Sequence, residues 1–74
     1  MGKFIDFADA AAFGSAIRVA RKQHGLTLAE CAAANGVSIR FLSELERGKS
    51  GASLGLALRI ARSVGVRVQG EMTE

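Results

Sequence analysis

Arg40, Ser43, Glu44 and Arg47 recur at spacings of three, one and three residues in Ser38-Ile39-Arg40-Phe41-Leu42-Ser43-Glu44-Leu45-Glu46-Arg47-Gly48. At 3.6 residues per turn they share one face of a helix, while Phe41, Leu42 and Leu45 take the other. That polar face holds two guanidinium forks that only donate, a hydroxyl that donates and accepts, and a carboxylate that accepts. Such a set suits hydrogen bonding to a polar or anionic surface. The same spacing also describes any solvated helix face.

Catalysis has little to work with. His24 is the only histidine and Cys31 the only cysteine. His24 falls in a helix's last turn, where an imidazole serves free carbonyls and the dipole. Cys31 falls at an apolar helical position and reads as a small core side chain; a lone cysteine excludes an internal disulfide or a cysteine-cluster metal site. No carboxylates converge, and the glycines of residues 48–51 follow a helix, not the strand that a nucleotide cradle requires. A chain of 74 residues is also expected to lack room for a pocket of about 300 Å³. No enzyme, cofactor or metal is therefore expected.

Charge points elsewhere. The formal net charge is +3, yet residues 18–67 carry nine basic side chains against three acids, a local surplus of six. A positive middle suits a polyanion, although solubility alone would also account for it. No apolar run is long enough to span a bilayer. No signal-peptide core follows the N-terminus, and Asp6 stands where a myristoylation motif needs Ser or Thr, so a cytoplasmic protein is expected.

The elements that position these residues follow from caps and periodicity. Residues 1–9 read as an N-terminal arm, with Phe4, Ile5 and Phe7 loosely extended. Asp9 can cap a first helix over about residues 10–24, its core stripe Phe13, Ala16, Ile17 and Ala20, its outer face bearing Arg18 and Lys22, and Gly25 its stop. Thr27 and Glu30 have capping-box spacing, which starts a second helix over about residues 28–35 with Cys31 and Ala32 inward and Gly36 as the turn. Val37 fills the core below that turn, Ser38 caps a third helix over about residues 39–47, and a basic loop from Gly48 follows. Ser53 caps a fourth over about residues 54–64, with Leu54, Ala57, Leu58, Ala61 and Val64 inward and Arg59 and Arg62 outward. Residues 10–65 thus form one domain. Beyond Gly65 the period changes to two, and Val66, Arg67, Val68 and Gln69 predict a strand within a terminal segment, residues 66–74. A lone strand cannot satisfy its backbone, so pairing with a second copy across a two-fold axis is expected; the arm around Phe4–Phe7 competes for the same edge.

The run Ile17-Arg18-x-x-Arg21-x-x-x-Gly25-Leu26-Thr27, then Gly36-Val37-Ser38, Leu42-Ser43-x-Leu45-Glu46-Arg47-Gly48-Lys49 and Ser53-Leu54, resembles the Cro/C1 (XRE) helix-turn-helix family over residues 13–66. The fold this implies is mainly α, a four-helix domain with a short C-terminal β-strand that pairs across a dimer. Because the chain closes on a strand pattern and not a fifth helix, it is similar to HipB-type antitoxins. That resemblance implies a homodimer that represses its own operon and binds a HipA-type serine/threonine kinase toxin; regulators without a toxin share the layout.

Carried onto these positions, the resemblance places Arg40, Ser43, Glu44 and Ile39 at base edges. Arginine is the side chain best shaped for the two acceptors of guanine, Ile39 suits a thymine methyl, and Glu44 either accepts from cytosine or orients Arg40 or Arg47. Ser38, Arg47, Lys49, Thr27 and the amide of Leu28 would serve phosphates, as would the other amides that open the second and third helices. Arg21 and Glu46 would form a structural ion pair. One departure is Leu28, where the family very commonly has Gln; an apolar side chain there is expected to pack against Ile39. The expected partner is double-stranded operator DNA bearing an inverted repeat, in the nucleoid, with no membrane. An interaction module whose helix-turn-helix no longer reads DNA is the alternative, motivated by Leu28 and Ile39.

Overall fold

The computed structural model describes residues 9–49, 51 and 53–73. The N-terminal arm before Asp9, with its expected pairing, lies outside them, as do positions 50 and 52. Four helices are present: α1 Ala10–Gln23, α2 Leu28–Asn35, α3 Ile39–Glu46 and α4 Leu54–Ser63.

Each helix starts on a short polar side chain that takes up an otherwise unpaired amide. The Asp9 carboxylate accepts from the Ala12 amide at 2.9 Å, Ser38 Oγ from Phe41 at 2.9 Å and Ser53 Oγ from Leu56 at 3.3 Å. At α2 the capping box is complete. Glu30 N donates to Thr27 Oγ1 at 3.0 Å and Thr27 N to Glu30 Oε1 at 2.8 Å.

All four helices also end alike. A glycine with positive φ follows each one, at positions 25, 36, 48 and 65. The amide of the next residue reaches back over the last turn, Leu26 to Arg21 O, Val37 to Ala32 O, Lys49 to Glu44 O and Val66 to Ala61 O, at 2.8–3.1 Å. This is the Schellman closure, in which the residue after the glycine normally seals the helix end with an apolar contact. Leu26, Val37 and Val66 do so, packing against the core. At α3 the equivalent residue is Lys49, whose ammonium instead lies 3.5 Å from Glu44.

Ile17 of α1, Cys31 and Ala32 of α2, Leu42 and Leu45 of α3, and Ala57, Ile60, Ala61 and Val64 of α4 form the buried core. α3 packs against α1 and α2, and α4 packs against α2. The inward face of α4 is rotated from the expected stripe. Ile60 is fully buried, whereas Leu54, in the first turn, is 71% exposed. α1 approaches α3 through Gly14, where a Cβ would stand 2.2 Å from the Leu45 carbonyl oxygen. Only a residue without a side chain fits there.

The expected C-terminal strand is not present among the described residues, which have neither helix nor strand over 66–73. Val66 is tied into the end of α4, and Arg67, Val68 and Gln69 are exposed. The alternation in the sequence is real, but a ladder needs a second strand beside it. No described helix is long and apolar enough to cross a membrane.

Candidate nucleic-acid interface

α3 is held by a buried guanidinium–carboxylate fork. Arg21 Nε donates to Glu46 Oε2 at 2.6 Å and Nη2 to Glu46 Oε1 at 3.0 Å, while Nη1 donates to the Leu26 carbonyl at 2.8 Å. One side chain thus joins α1, the turn into α2 and the end of α3. The hydrogen bonds that Arg21 donates to Glu46 raise its pKa above the ordinary value, against the effect of burial.

With its inner face fixed in this way, α3 turns Ile39 and Arg40 outward, 52% exposed for the whole Ile39 residue and 86% for the Arg40 side chain. Arg40 Nε donates to Glu44 Oε2 at 3.3 Å, which leaves both terminal nitrogens without a partner among the described residues. Lys49 Nζ lies 3.5 Å from the same oxygen. The Arg40 guanidinium beside it, helped by the charge of Lys49, holds the Glu44 carboxyl below the usual carboxylate range. Glu44 therefore sits between Arg40 and Lys49; Arg47 is not its partner.

A second group forms on the flank. Arg18 and Lys22 of α1, Leu28 of α2, Ser43 of α3 and Arg47 just past its end line a half-open basin of about 620 Å³ whose floor includes the Arg21–Glu46 pair. This corrects the expectation that so short a chain lacks volume for a pocket: the space is a concavity between helices, not an enclosed cavity. Leu28 is half-buried against the core cluster, and Ile39 is not part of that packing. Thr27 and Ser38 are engaged as caps through their oxygen lone pairs, and each hydroxyl keeps its proton to donate outward.

The structure thus brings the sequence-derived positions into two clusters, Arg40–Glu44–Lys49 and Leu28–Ser43–Arg47, with Val66, Arg67, Val68 and Gln69 away from both beyond α4. Sequence reasoning placed Arg18 and Lys22 on an outer face and stopped there. Their flanking of Arg21 was the available signal, because any residue that reaches Glu46 carries its helical neighbours to the end of α3. Arg59 was also read as merely outward, yet its Nη2 donates to the Asn35 carbonyl at the end of α2. Asn35 itself is buried, its Nδ2 donating to Cys31 O at 3.0 Å and Ser63 Oγ at 3.1 Å. Among the described residues no group of three His, Cys, Asp or Glu side chains is placed to hold a metal.

This geometry has counterparts. The helix-turn-helix family model matches residues 17–70. A protein of Sinorhizobium fredii named as the uncharacterized HTH-type transcriptional regulator y4mF is 34% identical over 55 residues, spanning 74% of this chain and 72% of its own. The crystal structure of the clp gene regulator ClgR from C. glutamicum is similar with a TM-score of 0.73 and 38% identity, over 89% of this chain and 85% of that one. With its capped α2, its glycine turn and an α3 pinned by Arg21 and Glu46, the chain belongs to the Cro/C1 (XRE) type of helix-turn-helix transcriptional regulators.

Proposed function

We propose that the chain is a homodimeric, sequence-specific repressor that binds an inverted-repeat operator through α3. The observation that carries this reading is Arg40, exposed, with Nε engaged by Glu44 and its terminal nitrogens free to meet the two acceptors of guanine. Ser43, one turn along, and Ile39, ahead of it, complete the base-reading set, and Glu44 orients Arg40. Ser38, Thr27, Arg47, Lys49 and the Leu28 amide serve the phosphates. Two copies place their reading helices about one DNA turn, ~34 Å, apart. The second copy is recruited by Val66, Arg67, Val68 and Gln69, of which the last three are exposed, an alternation that gains a ladder when it meets its own image.

The narrower reading is an antitoxin of HipBA type, acting in the cytoplasm at the nucleoid and also binding a HipA-type kinase toxin. Its motive is the alternation of Val66, Arg67, Val68 and Gln69 after a four-helix body. A regulator with no toxin partner is the second reading, favoured by the likeness to a clp gene regulator.

Titration of labelled operator DNA over a range of salt tests the main reading. Binding should discriminate operator from unrelated DNA and weaken steeply with salt. Affinity indifferent to both would leave an interaction module, for which the exposed Ile39 is the motive.

A further inference from the structure

We propose that the basin between α1 and the end of α3 is a seat for a phosphodiester of the DNA backbone, gripped by Arg18, Lys22 and Arg47. The inference rests on the operator-binding reading and extends the contact surface from the helix pair onto α1.

Three observations carry it. First, the basin is lined by four cations and one carboxylate, and that carboxylate, Glu46, is consumed by Arg21. Second, the side chains of Arg18, Lys22 and Arg47 have no hydrogen-bond or ion-pair partner among the described residues, although Arg40 and Lys49 close by are both drawn to Glu44. Like charges converging on one concavity repel each other, and low-dielectric walls concentrate their field, so the arrangement favours an anion at its centre. Third, the lining is mixed in the way a nucleotide backbone is. Leu28 offers an apolar wall for a sugar, while the guanidinium forks offer the bidentate geometry that phosphate oxygens accept.

Position distinguishes this seat from the reading face. Ser43 belongs to both, so the basin opens directly beside the base-reading residues. Arg47 reaches it from α3, but Arg18 and Lys22 belong to a helix that contributes nothing to base recognition. Their contacts should therefore add affinity without adding sequence preference.

The test compares Arg18→Ala, Lys22→Ala and the double variant with Arg62→Ala, an exposed α4 cation outside the basin. Each is titrated with operator and with unrelated duplex over a range of salt, with helical content and melting followed in parallel. Each basin substitution should make the slope of log K against log salt shallower by about 0.9, the double by about 1.8, with equal fold-losses on both DNAs. Arg62→Ala should leave the slope as in the wild type. A double variant with the wild-type slope overturns the proposal, as does an equal change in Arg62→Ala. A separate arm replaces chloride by inorganic phosphate at constant ionic strength. Phosphate should displace DNA from the wild type more readily than from the double variant, because the free anion and the backbone then compete for the basin; equal displacement from both would overturn the backbone assignment. If the wild type binds neither DNA, the operator reading itself falls; a wild type that binds with salt-dependent affinity while the double variant matches it overturns the basin alone.

Discussion

Arg21 and Glu46 stand 25 residues apart in the chain and meet in a two-pronged fork, 2.6 and 3.0 Å, with their side chains only 6% and 4% exposed. Replacing either one alone strands a buried charge. Arg21→Met or Glu46→Leu should each cost roughly 3–5 kcal/mol, whereas the double variant should be far less damaging than their sum because no charge is then left unpaired. Urea unfolding of the four proteins checks this; additive losses would show that the pair does not act as a unit.

Gly14 predicts a steric effect of a different kind. A methyl group there meets the Leu45 and Glu46 carbonyl oxygens at 2.2 and 2.7 Å, backbone atoms that cannot swing aside. Gly14→Ala, although favoured by helix propensity, should therefore destabilise by about 1–3 kcal/mol by forcing α1 from α3. Thermal melting should show a fall of roughly 4–8 °C per kcal/mol. An unchanged or higher midpoint would contradict so close a crossing.

Arg40 and Arg47 should separate specificity from affinity. Arg40→Ala should lose about 1–3 kcal/mol on operator and little on unrelated DNA, while Arg47→Ala should weaken both alike and make the salt slope shallower by about 1. Equal behaviour of the two variants would count against the division between reading face and basin.

Glu30 gives a pH dependence with a definite sign. Its carboxylate accepts from the Thr27 amide and interacts with the Thr27 hydroxyl, and both hold its pKa below the usual value, the amide more strongly. A carboxyl lowered in the folded state contributes stability that is fully present above its unfolded value, about pH 4.3, and is lost as pH falls through the lower folded value. Glu30→Gln should therefore flatten the acid limb of a stability–pH curve below about pH 4.3. Parallel curves for variant and wild type would show that the box does not hold the charge.

Much of the fold was legible because helix ends are local. Asp9, Thr27, Ser38 and Ser53 each announce a start within three residues of the amide they cap, and a glycine marks each stop. What was not legible is what depends on how helices are rotated against one another. Periodicity alone put Leu54 inward, although at the first turn of α4 no described residue covers it, and Ile60 takes the core position. Gly14 carried no reading in the sequence, because its role depends on α3 crossing there. Arg59 reaches across to the end of α2, a contact 24 residues away that no local pattern carries. The candidate surface divides in the same way. Arg40 and Glu44 are one helical turn apart and readable as neighbours, but the assembly of Arg18 and Lys22 with Arg47 requires the Arg21–Glu46 crossing. The tail alternation was visible as well, yet a strand is a property of two segments and not of one.

Among the four glycine-closed ends, that of α3 alone carries an ion pair, Lys49 to Glu44, where the other three carry an apolar plug. Ionic strength should then act on this helix end and leave the other three alone, since exposed ion pairs are screened and apolar contacts are not. Glu44 is also the partner of Arg40, so whatever draws Lys49 away leaves the carboxylate to Arg40 alone. The last turn of α3 and its foremost arginine thus meet at one shared oxygen, and an anion that drew Lys49 away at one end of the helix would leave a firmer Arg40–Glu44 pair at the other.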